Sequence, residues 1–304
     1  MNLKKLAIAT SLALAAMSAS ATPLDAIVGN LNIKLTGLTT ETRTYNATPV
    51  SMRNPNLYYE STWGIGAITQ VGGTGGQKWT AGLSDGTYLY YMIYGIADQN
   101  VIYDANTNKY SIYNVGATAG AKTDGKIHLD IYRSTQDLVG INSDFNAKPS
   151  DRIDFDKYNL YSSMGPAYLK ITFGTGKQTT NVAGGTQSGA NEMLATMVQT
   201  VTAATLPAAG EGQFFADVIG GTAMTAWDTN GQFGHDFDGK FTLSDNGASR
   251  GSGVCTDAEV TNGTCFTGLI NDPIRANKIP EPGSLALFGL ALAGLAGVSR
   301  RKRK

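Results

Sequence analysis

The chain has 304 residues, 42% of them hydrophobic and 16% charged, and its 24 basic and 24 acidic residues give a formal net charge of zero. Lys4, Lys5 and the five cations of residues 300–304 lie at the two ends; without them, 17 basic residues stand against 24 acidic ones, a net charge of about −7. The chain between these ends has a net negative charge and lacks the clustered Lys and Arg with which proteins bind nucleic acid, so we exclude nucleic acid as a partner.

The N-terminal segment has the order of a secretory signal peptide. Lys4 and Lys5 precede an apolar run, Leu6–Met17, and small side chains follow it. Cations hold the start of such a segment in the cytoplasm while the apolar run enters the translocon. We predict that signal peptidase removes residues 1–21, because the alternative, a buried N-terminal helix, would leave the lysines unexplained. The predicted cleavage site comprises Ala19, Ala21 and Thr22.

The body, residues 22–278, has the composition of a secreted β protein. The chain holds 37 glycines, and Thr, Tyr and Val recur in short runs broken by Gly, Asn and Asp, which favours strands. Tyr88–Tyr94 is apolar or aromatic on both faces, so we predict a strand that is covered on both sides. We predict two further strands around a turn at Asp104–Asn108. In the next strand we expect Ile127, Leu129 and Ile131 to point inward and His128, Asp130 and Tyr132 to point toward water; Tyr168–Phe173 repeats the period of two.

One segment of the second half has helical periodicity. Ser188 is a candidate N-cap, apolar residues recur at helical spacing, and Pro207 stops the run, so we predict a helix near residues 190–204. The apolar positions are Met193, Leu194, Met197, Val198 and Val201, and strands resume at Gln213–Gly221, Thr222–Trp227 and Gly239–Leu243.

These elements predict a mainly β fold. We expect an antiparallel β-sandwich, with a jelly roll as one form of it, whose single helix covers an edge or an end. The length allows one large core or two small ones, so a second small domain after residue 180 is the alternative. We favour one sandwich, because the later segment alone would have a thin core.

The two cysteines, Cys255 and Cys265, are separated by nine residues. Thiols oxidise in an exported protein, so we predict a disulfide. Its loop contains the turn signal Asn262-Gly263, and chain-entropy arithmetic gives a stabilisation of roughly 2.8 kcal/mol. A metal or redox site is disfavoured, because no CxxC motif and no neighbouring His is present.

A catalytic motif occurs without its context. Gly247-Ala248-Ser249-Arg250-Gly251 matches the GxSxG nucleophile elbow, which needs a strand before it, a helix after it and a partner His later in the chain. The two histidines, His128 and His235, both precede Ser249. We therefore predict that the protein is not an enzyme.

Two binding hypotheses remain from the residues of the body. One loop carries four oxygen ligands of the kind that Ca²⁺ prefers, but its spacing does not fit an EF-hand, and turn-forming Asp and Asn residues are the favoured alternative. The seven tyrosines between Tyr88 and Tyr113 could form an aromatic platform for sugar rings, against the favoured alternative that they fill the sheet. The candidate Ca²⁺ ligands are Asp228, Asn230, Asp236 and Asp238; no other cofactor is expected.

The C-terminal segment combines a short apolar run with a basic end. Ser284–Val298 would form a helix of roughly 22 Å, shorter than the hydrocarbon layer of about 30 Å. Such a helix needs a thinned bilayer and cations that snorkel to the headgroups, and by the positive-inside rule these cations stay in the cytoplasm. The anchor is therefore predicted to be temporary. The cations are Arg300, Arg301, Lys302, Arg303 and Lys304.

The segment 279–304 resembles the PEP-CTERM sorting signal. The resemblance rests on the tripeptide Pro280-Glu281-Pro282 before a Gly- and Leu-rich apolar run and a basic terminus. It implies recognition by an exosortase of a Gram-negative bacterium, cleavage near the tripeptide and release from the inner membrane to the cell surface or matrix. The two prolines fit this role, because they deny helix to Ile279 and Glu281 and keep the segment extended. A permanent C-terminal anchor is the alternative.

The predicted function follows from the predicted export to the cell surface or matrix. We expect an exported surface or matrix protein with a non-enzymatic structural or adhesive role linked to exopolysaccharide or biofilm. A carbohydrate-binding module and, less favoured, a secreted glycoside-active hydrolase are the alternatives. The expected processing partners are signal peptidase and exosortase, and exopolysaccharide is the candidate ligand.

Overall fold

A computed structural model of the protein describes residues 22–42, 62–73, 76, 78–104, 109–118, 124–138, 164–174, 180–182, 185–187, 193–198, 209–244, 265–270, 273–280, 289 and 292. The strands are β1 (Gly29–Thr42), β2 (Thr62–Gly73), β3 (Lys78–Thr80), β4 (Tyr88–Asp104), β5 (Lys109–Gly116), β6 (His128–Ser134), β7 (Leu169–Phe173), β8 (Thr180–Val182), β9 (Gly185–Gln187), β10 (Met193–Val198), β11 (Ala209–Gly220), β12 (Phe237–Ser244), β13 (Cys265–Ile270) and β14 (Pro273–Lys278). A 3-10 turn spans Leu24–Ala26, and helix α1 spans Met224–Trp227.

Eight antiparallel strands close into a barrel, in the order β1-β2-β4-β6-β7-β11-β12-β14. The ring closes because β14 pairs with β12 on one edge and with β1 on the other. The prediction of a mainly β fold is confirmed, but the sandwich and its jelly-roll form are wrong. A sandwich needs two separate sheets, whereas here β1–β7 and β10–β14 belong to one continuous sheet.

The long strands change partners halfway along the barrel. β4 pairs with β6 through Tyr94 and with β5 from Ile96 onward. Gly95 lies between these two registers with φ of +76°, and a Cβ there would lie 2.5 Å from the carbonyl oxygen of Lys126. In the same way β5, β10 and β13 take the places of β6, β7 and β14 at the other end. The long strands therefore pair with β6, β7 and β14 at one end of the barrel and with β5, β10 and β13 at the other.

The segment predicted to be a helix near residues 190–204 contains strand β10 instead. β10 pairs antiparallel with β5 on one edge and with β11 on the other, so neighbouring strands supply its main-chain hydrogen bonds. Met193 and Met197 fit a helical face, but they also fall on one face of a strand, with Leu194 and Val198 on the other. The spacing of the apolar residues fits both a helix and a strand, and the pairing with β5 and β11 makes the segment a strand.

The end of β11 corrects a second prediction. Thr222–Trp227 was predicted to be a strand, but Gly221, with φ of +108°, ends β11, and one turn of helix, α1, follows. A Cβ at Gly221 would lie 2.5 Å from the carbonyl oxygen of Tyr168, so the turn requires glycine. The predicted strands at Tyr88–Tyr94, Tyr168–Phe173 and Gly239–Leu243 are confirmed within β4, β7 and β12.

The interior of the barrel, where its side chains are described, is filled with apolar residues. β1, β4, β6, β7, β11 and β14 each turn alternate residues into one core, as the period of two requires. Gly239 leaves the room that the ring of Phe214 occupies. The inward residues include Leu31, Ile33, Leu89, Tyr91, Leu129, Ile131, Ile171, Phe173, Phe214 and Ile274.

The outer face of β4 and β6 is also buried. The prediction that β4 is covered on both sides is confirmed, since Tyr90, Met92 and Tyr94 are as buried as the inward residues. The prediction that His128, Asp130 and Tyr132 face water is wrong. Tyr94 stacks on His128 with ring centroids 5.0 Å apart and donates a hydrogen bond to one carboxylate oxygen of Asp130.

Candidate functional site at the closed end of the barrel

The N-terminal residues close one end of the barrel. We call residues 23–27 the plug. Leu24 and Ile27 have no exposed surface and belong to the barrel core, where Trp79 and Trp227 are also buried. Full burial of two aliphatic side chains gives roughly 3–6 kcal/mol of favourable transfer free energy. The plug is therefore part of the folded domain.

Asp85 connects the plug to the turn between β3 and β4. Its carboxylate accepts hydrogen bonds from the Leu24 backbone N–H at 3.1 Å and from the Trp79 indole N–H at 3.0 Å. The backbone N–H and the hydroxyl of Thr87 also donate to it. Burial would raise the pKa of Asp85, but these hydrogen bonds outweigh that effect and hold the pKa below its ordinary value.

Arg133 adds a charged contact beside this network. Its guanidinium lies 2.8 Å from a carboxylate oxygen of Asp25 and 3.4 Å from one of Asp85. Burial would lower the pKa of Arg133, but the hydrogen bond and charge of Asp25 raise it overall, so the guanidinium stays charged. Asp25 is exposed and Arg133 is half-buried, so the pair adds little to stability, but it fixes the plug to β6.

Lys278, the last residue of β14, binds the plug from inside. Its side chain is 1% exposed, and its Nζ donates to the carbonyl oxygens of Leu24 and Asp25 at 3.0 Å each. Nζ also lies 5.8 Å from the centre of the Trp227 ring, within the range of a cation–π contact. The final strand and the start of the domain are thus tied by one side chain.

The chain leaves the fold directly after Lys278. The Ile279 N–H donates to the Ala226 carbonyl oxygen at 2.9 Å, and Ile279 and Pro280 are both exposed. Gly29 pairs with Lys278 across β1 and β14, so residue 22 and residue 280 leave the barrel at the same end. Pro280, the first residue of the predicted sorting motif, is therefore accessible.

Of the other residues of the predicted processing signals, the structure describes Thr22, Gly289 and Leu292. In the part of the chain that the structure describes, no helix has both the length and the apolar composition needed to cross a membrane. Gly289 and Leu292 are helical and exposed. The predictions outside the description concern Ala19, Ala21, Glu281, Pro282, Ser284, Val298, Arg300, Arg301, Lys302, Arg303 and Lys304.

The predicted disulfide is only half described. Cys265 begins β13 opposite Thr42 of β1, whereas Cys255 lies outside the described residues. The disulfide stays a prediction. The same holds for the motif around Ser249, which also lies outside them.

Asp236 organises the loop that was predicted to bind calcium. One of its carboxylate oxygens accepts from the backbone N–H groups of Thr229 and Asn230, and the other accepts from the Val218 N–H at 2.9 Å. Asp236 is 1% exposed and Asp238 is also buried, whereas Asp228 and Asn230 are exposed. Among the residues described, no three His, Cys, Asp or Glu side chains are placed to share a metal ion. The calcium site stays a prediction.

Both histidines pair with aspartates. His128 Nε2 lies 2.9 Å from Asp124, and His235 Nδ1 lies 2.9 Å from Asp217. Burial would raise the pKa of Asp124, but the hydrogen bond and charge of His128 lower it overall. The His235 ring also stacks on Phe215 at 4.9 Å. These contacts orient the two rings within the fold.

Sequence reasoning missed the network of Asp85, Arg133 and Lys278. These residues are far apart in the chain, and no local pattern joins them. One signal was present: an Asp two residues before Thr87 in a Gly-rich turn is typical of a side chain that caps its own turn. Of the tyrosines proposed as a platform, Tyr90, Tyr91 and Tyr94 are buried and Tyr88 is partly exposed, so these three cannot stack on a ligand.

Comparison with known proteins identifies the C-terminal segment. Residues 278–303 match the family model of the PEP-CTERM protein-sorting motif. No curated protein and no solved structure matches the chain significantly. The motif implies an exported protein that an exosortase sorts to the cell surface. The chain therefore combines a closed β-barrel with a C-terminal PEP-CTERM sorting motif.

Proposed function

We propose that the protein is a rigid, non-enzymatic barrel with a structural or adhesive role at the cell surface or in the extracellular matrix, linked to exopolysaccharide. One observation carries this proposal: the fold ends at the buried Lys278, and the exposed Pro280 follows two residues later. A protease in the membrane would therefore meet a tripeptide whose first residue, Pro280, is exposed beside an already folded domain, without unfolding the barrel.

The common exit of both chain ends supports this role. Before processing, the signal peptide and the sorting helix would both hold the chain at the membrane, and residues 22 and 280, which adjoin these two segments, lie at the plug end. The barrel would then stand on the membrane by that end. The contacts of Lys278 with Leu24 and Asp25 keep these two points of the chain together.

The architecture suits a durable extracellular module. The ring of eight strands leaves no free edge among the described barrel strands, and unpaired edges are where sheets aggregate. The described interior is packed with side chains rather than open. Such a unit can be displayed in numbers without strand exchange between neighbours.

The sorting part of the proposal is tested by replacing Pro280-Glu281-Pro282 with three alanines in the producing strain. We expect the full-length chain to accumulate in the membrane fraction while the wild type is released. Ile279→Ala is the matched control, because it changes the exposed neighbour and leaves the tripeptide intact. Equal release of all three forms would contradict the proposal.

The matrix part is tested by fractionation of the released protein. We expect the wild-type barrel to sediment with the extracellular polysaccharide and to enter the soluble fraction when that polysaccharide is removed. A released barrel that stays in the medium whether polysaccharide is present or not would contradict the link.

A further inference from the structure

A groove of about 650 Å³ lies on the outer wall of the barrel, over β1 and β14. Its floor is formed by strand residues, and one wall is formed by the loop between α1 and β12. The side chains that matter for its chemistry are Asn30, Asn32 and Arg275 on the floor and Gln232 and Phe233 on the wall.

Phe233 is the most exposed large apolar side chain of the groove. Its side chain is 83% exposed, and its φ is +57°, a left-handed conformation that is rare and costly for a bulky residue. The ring has a tilted contact with Phe215, with centroids 6.2 Å apart, but most of its surface remains open to solvent. This combination is what a binding residue shows when the loop is shaped to present it.

The loop holds Phe233 rigidly. Gln232 and His235 exchange two backbone hydrogen bonds, of 2.7 and 3.0 Å, and so close a tight turn around Phe233. Asp236 fixes the base of the loop through three backbone N–H groups. Thr229 donates to the carbonyl oxygen of Asn277 in β14, which seats the loop on the barrel wall. The ring is therefore preorganised.

The floor offers hydrogen-bonding groups on a flat surface. Asn32 pairs with Arg275 across β1 and β14, so an amide and a guanidinium lie side by side, and both are exposed. Within the described part of the chain, Arg275 has no ion pair. On the other side Asn32 pairs with Gly72, where a Cβ would meet nothing within 4 Å, so the floor stays open.

We propose that this groove binds a saccharide unit, with the sugar ring against Phe233 and its hydroxyls bonded to Asn30, Asn32, Gln232 and Arg275. A pyranose has an apolar C–H face and a rim of hydroxyls that donate and accept, and this groove has one aromatic face and a rim of amides and a guanidinium. An apolar peptide fits less well, because Phe233 is the one large exposed apolar side chain of the lining.

This inference rests on the proposed link to exopolysaccharide, and it moves the sugar-binding surface away from the tyrosines. Tyr90, Tyr91 and Tyr94 of β4 are buried, whereas Phe233 lies exposed on a loop in the second half of the chain. The groove would let the displayed barrel hold polysaccharide along its side while the plug end faces the membrane.

The test is affinity electrophoresis of the released protein through gels that contain the extracellular polysaccharide of the producing strain. We expect the wild type to be retarded and both Phe233→Ala and Asn32→Ala to bind about tenfold more weakly, as loss of an aromatic or hydrogen-bond contact of this kind implies. Phe233→Trp should retain binding, because a ring remains.

Leu83→Ala is the matched control. Leu83 is 80% exposed, a fraction similar to that of Phe233, but lies in the turn between β3 and β4 and not in the groove. Equal retardation of the wild type and all variants would overturn the groove and leave the polysaccharide link standing. No retardation of the wild type would overturn both.

Discussion

The carboxylates of Asp85 and Asp236, at two different places in the barrel, each accept several hydrogen bonds from surrounding groups. Asp85 combines backbone, indole and hydroxyl donors with the charge of Arg133 at the plug end. Asp236 is satisfied by backbone N–H groups alone and shapes the loop of Phe233. The first ties the chain ends together, and the second presents a side chain. The comparison shows that the partners of a hydrogen-bonded carboxylate indicate its role.

The largest effect should come from Asp236→Ala. Three backbone N–H groups would lose their acceptor, and that of Val218 is buried, so we expect a loss of roughly 3 kcal/mol in the free energy of unfolding. Urea denaturation measures it. Asp228→Ala is the control, because this exposed neighbour should change stability by less than about 0.5 kcal/mol. Equal stability of the two variants would show that Asp236 does not organise the loop.

Asp85→Asn should have a smaller effect, and one that depends on pH. The amide keeps the shape but presents donors where donors already point, so we expect a loss of roughly 2 kcal/mol at pH 7. The pKa of Asp85 is lowered in the fold, so its contribution is present above the pKa of an unfolded aspartate, about 3.9, and is lost as pH falls through the lowered value.

Urea denaturation at several pH values tests this prediction. The stability difference between the wild type and Asp85→Asn should shrink below about pH 4. A difference that stays constant from pH 7 to pH 3 would contradict the account of Asp85.

Lys278→Met should cost roughly 1 kcal/mol. The carbonyl oxygens of Leu24 and Asp25 would lose their donor, but relief from burying a charge offsets part of this cost. Hydrogen exchange should show faster opening of the plug, with the rest of the barrel unchanged. Lys170→Met, at an exposed lysine of β7, is the control and should leave plug exchange as in the wild type.

Calcium should have the smallest effect. The oxygens of Asp236 already accept backbone hydrogen bonds, so we expect no change in Tm when millimolar Ca²⁺ is added. A rise of several degrees that Asp238→Ala abolishes would instead show that this loop holds the cation.

The strands that could be predicted from sequence are those in which apolar and polar residues alternate and the apolar ones all point into one core. β7 is such a case, because Leu169, Ile171 and Phe173 alternate with polar residues and all three point inward. β10 could not be predicted, because its apolar spacing fits a helix and a strand equally and pairing with β5 and β11 decides it. Barrel closure likewise depends on β14 meeting β1, a contact between opposite ends of the domain.

The sites divide in the same way. The sorting tripeptide is a local signal, so the sequence alone located it, and the family match agrees. The network of Asp85 and Lys278 is built from residues distant in the chain, and the groove depends on how the loop of Phe233 lies over β14. Neither leaves a pattern in a short stretch of sequence.

The central claim is that a folded barrel is released by cleavage beside the tripeptide, and the mass of the extracellular protein tests it most directly. We predict an intact mass that corresponds to a chain beginning at Thr22 and ending close to Pro280, with the basic residues 300–304 absent. An extracellular or surface form whose C-terminal peptide still ends in Lys304 would contradict the claim.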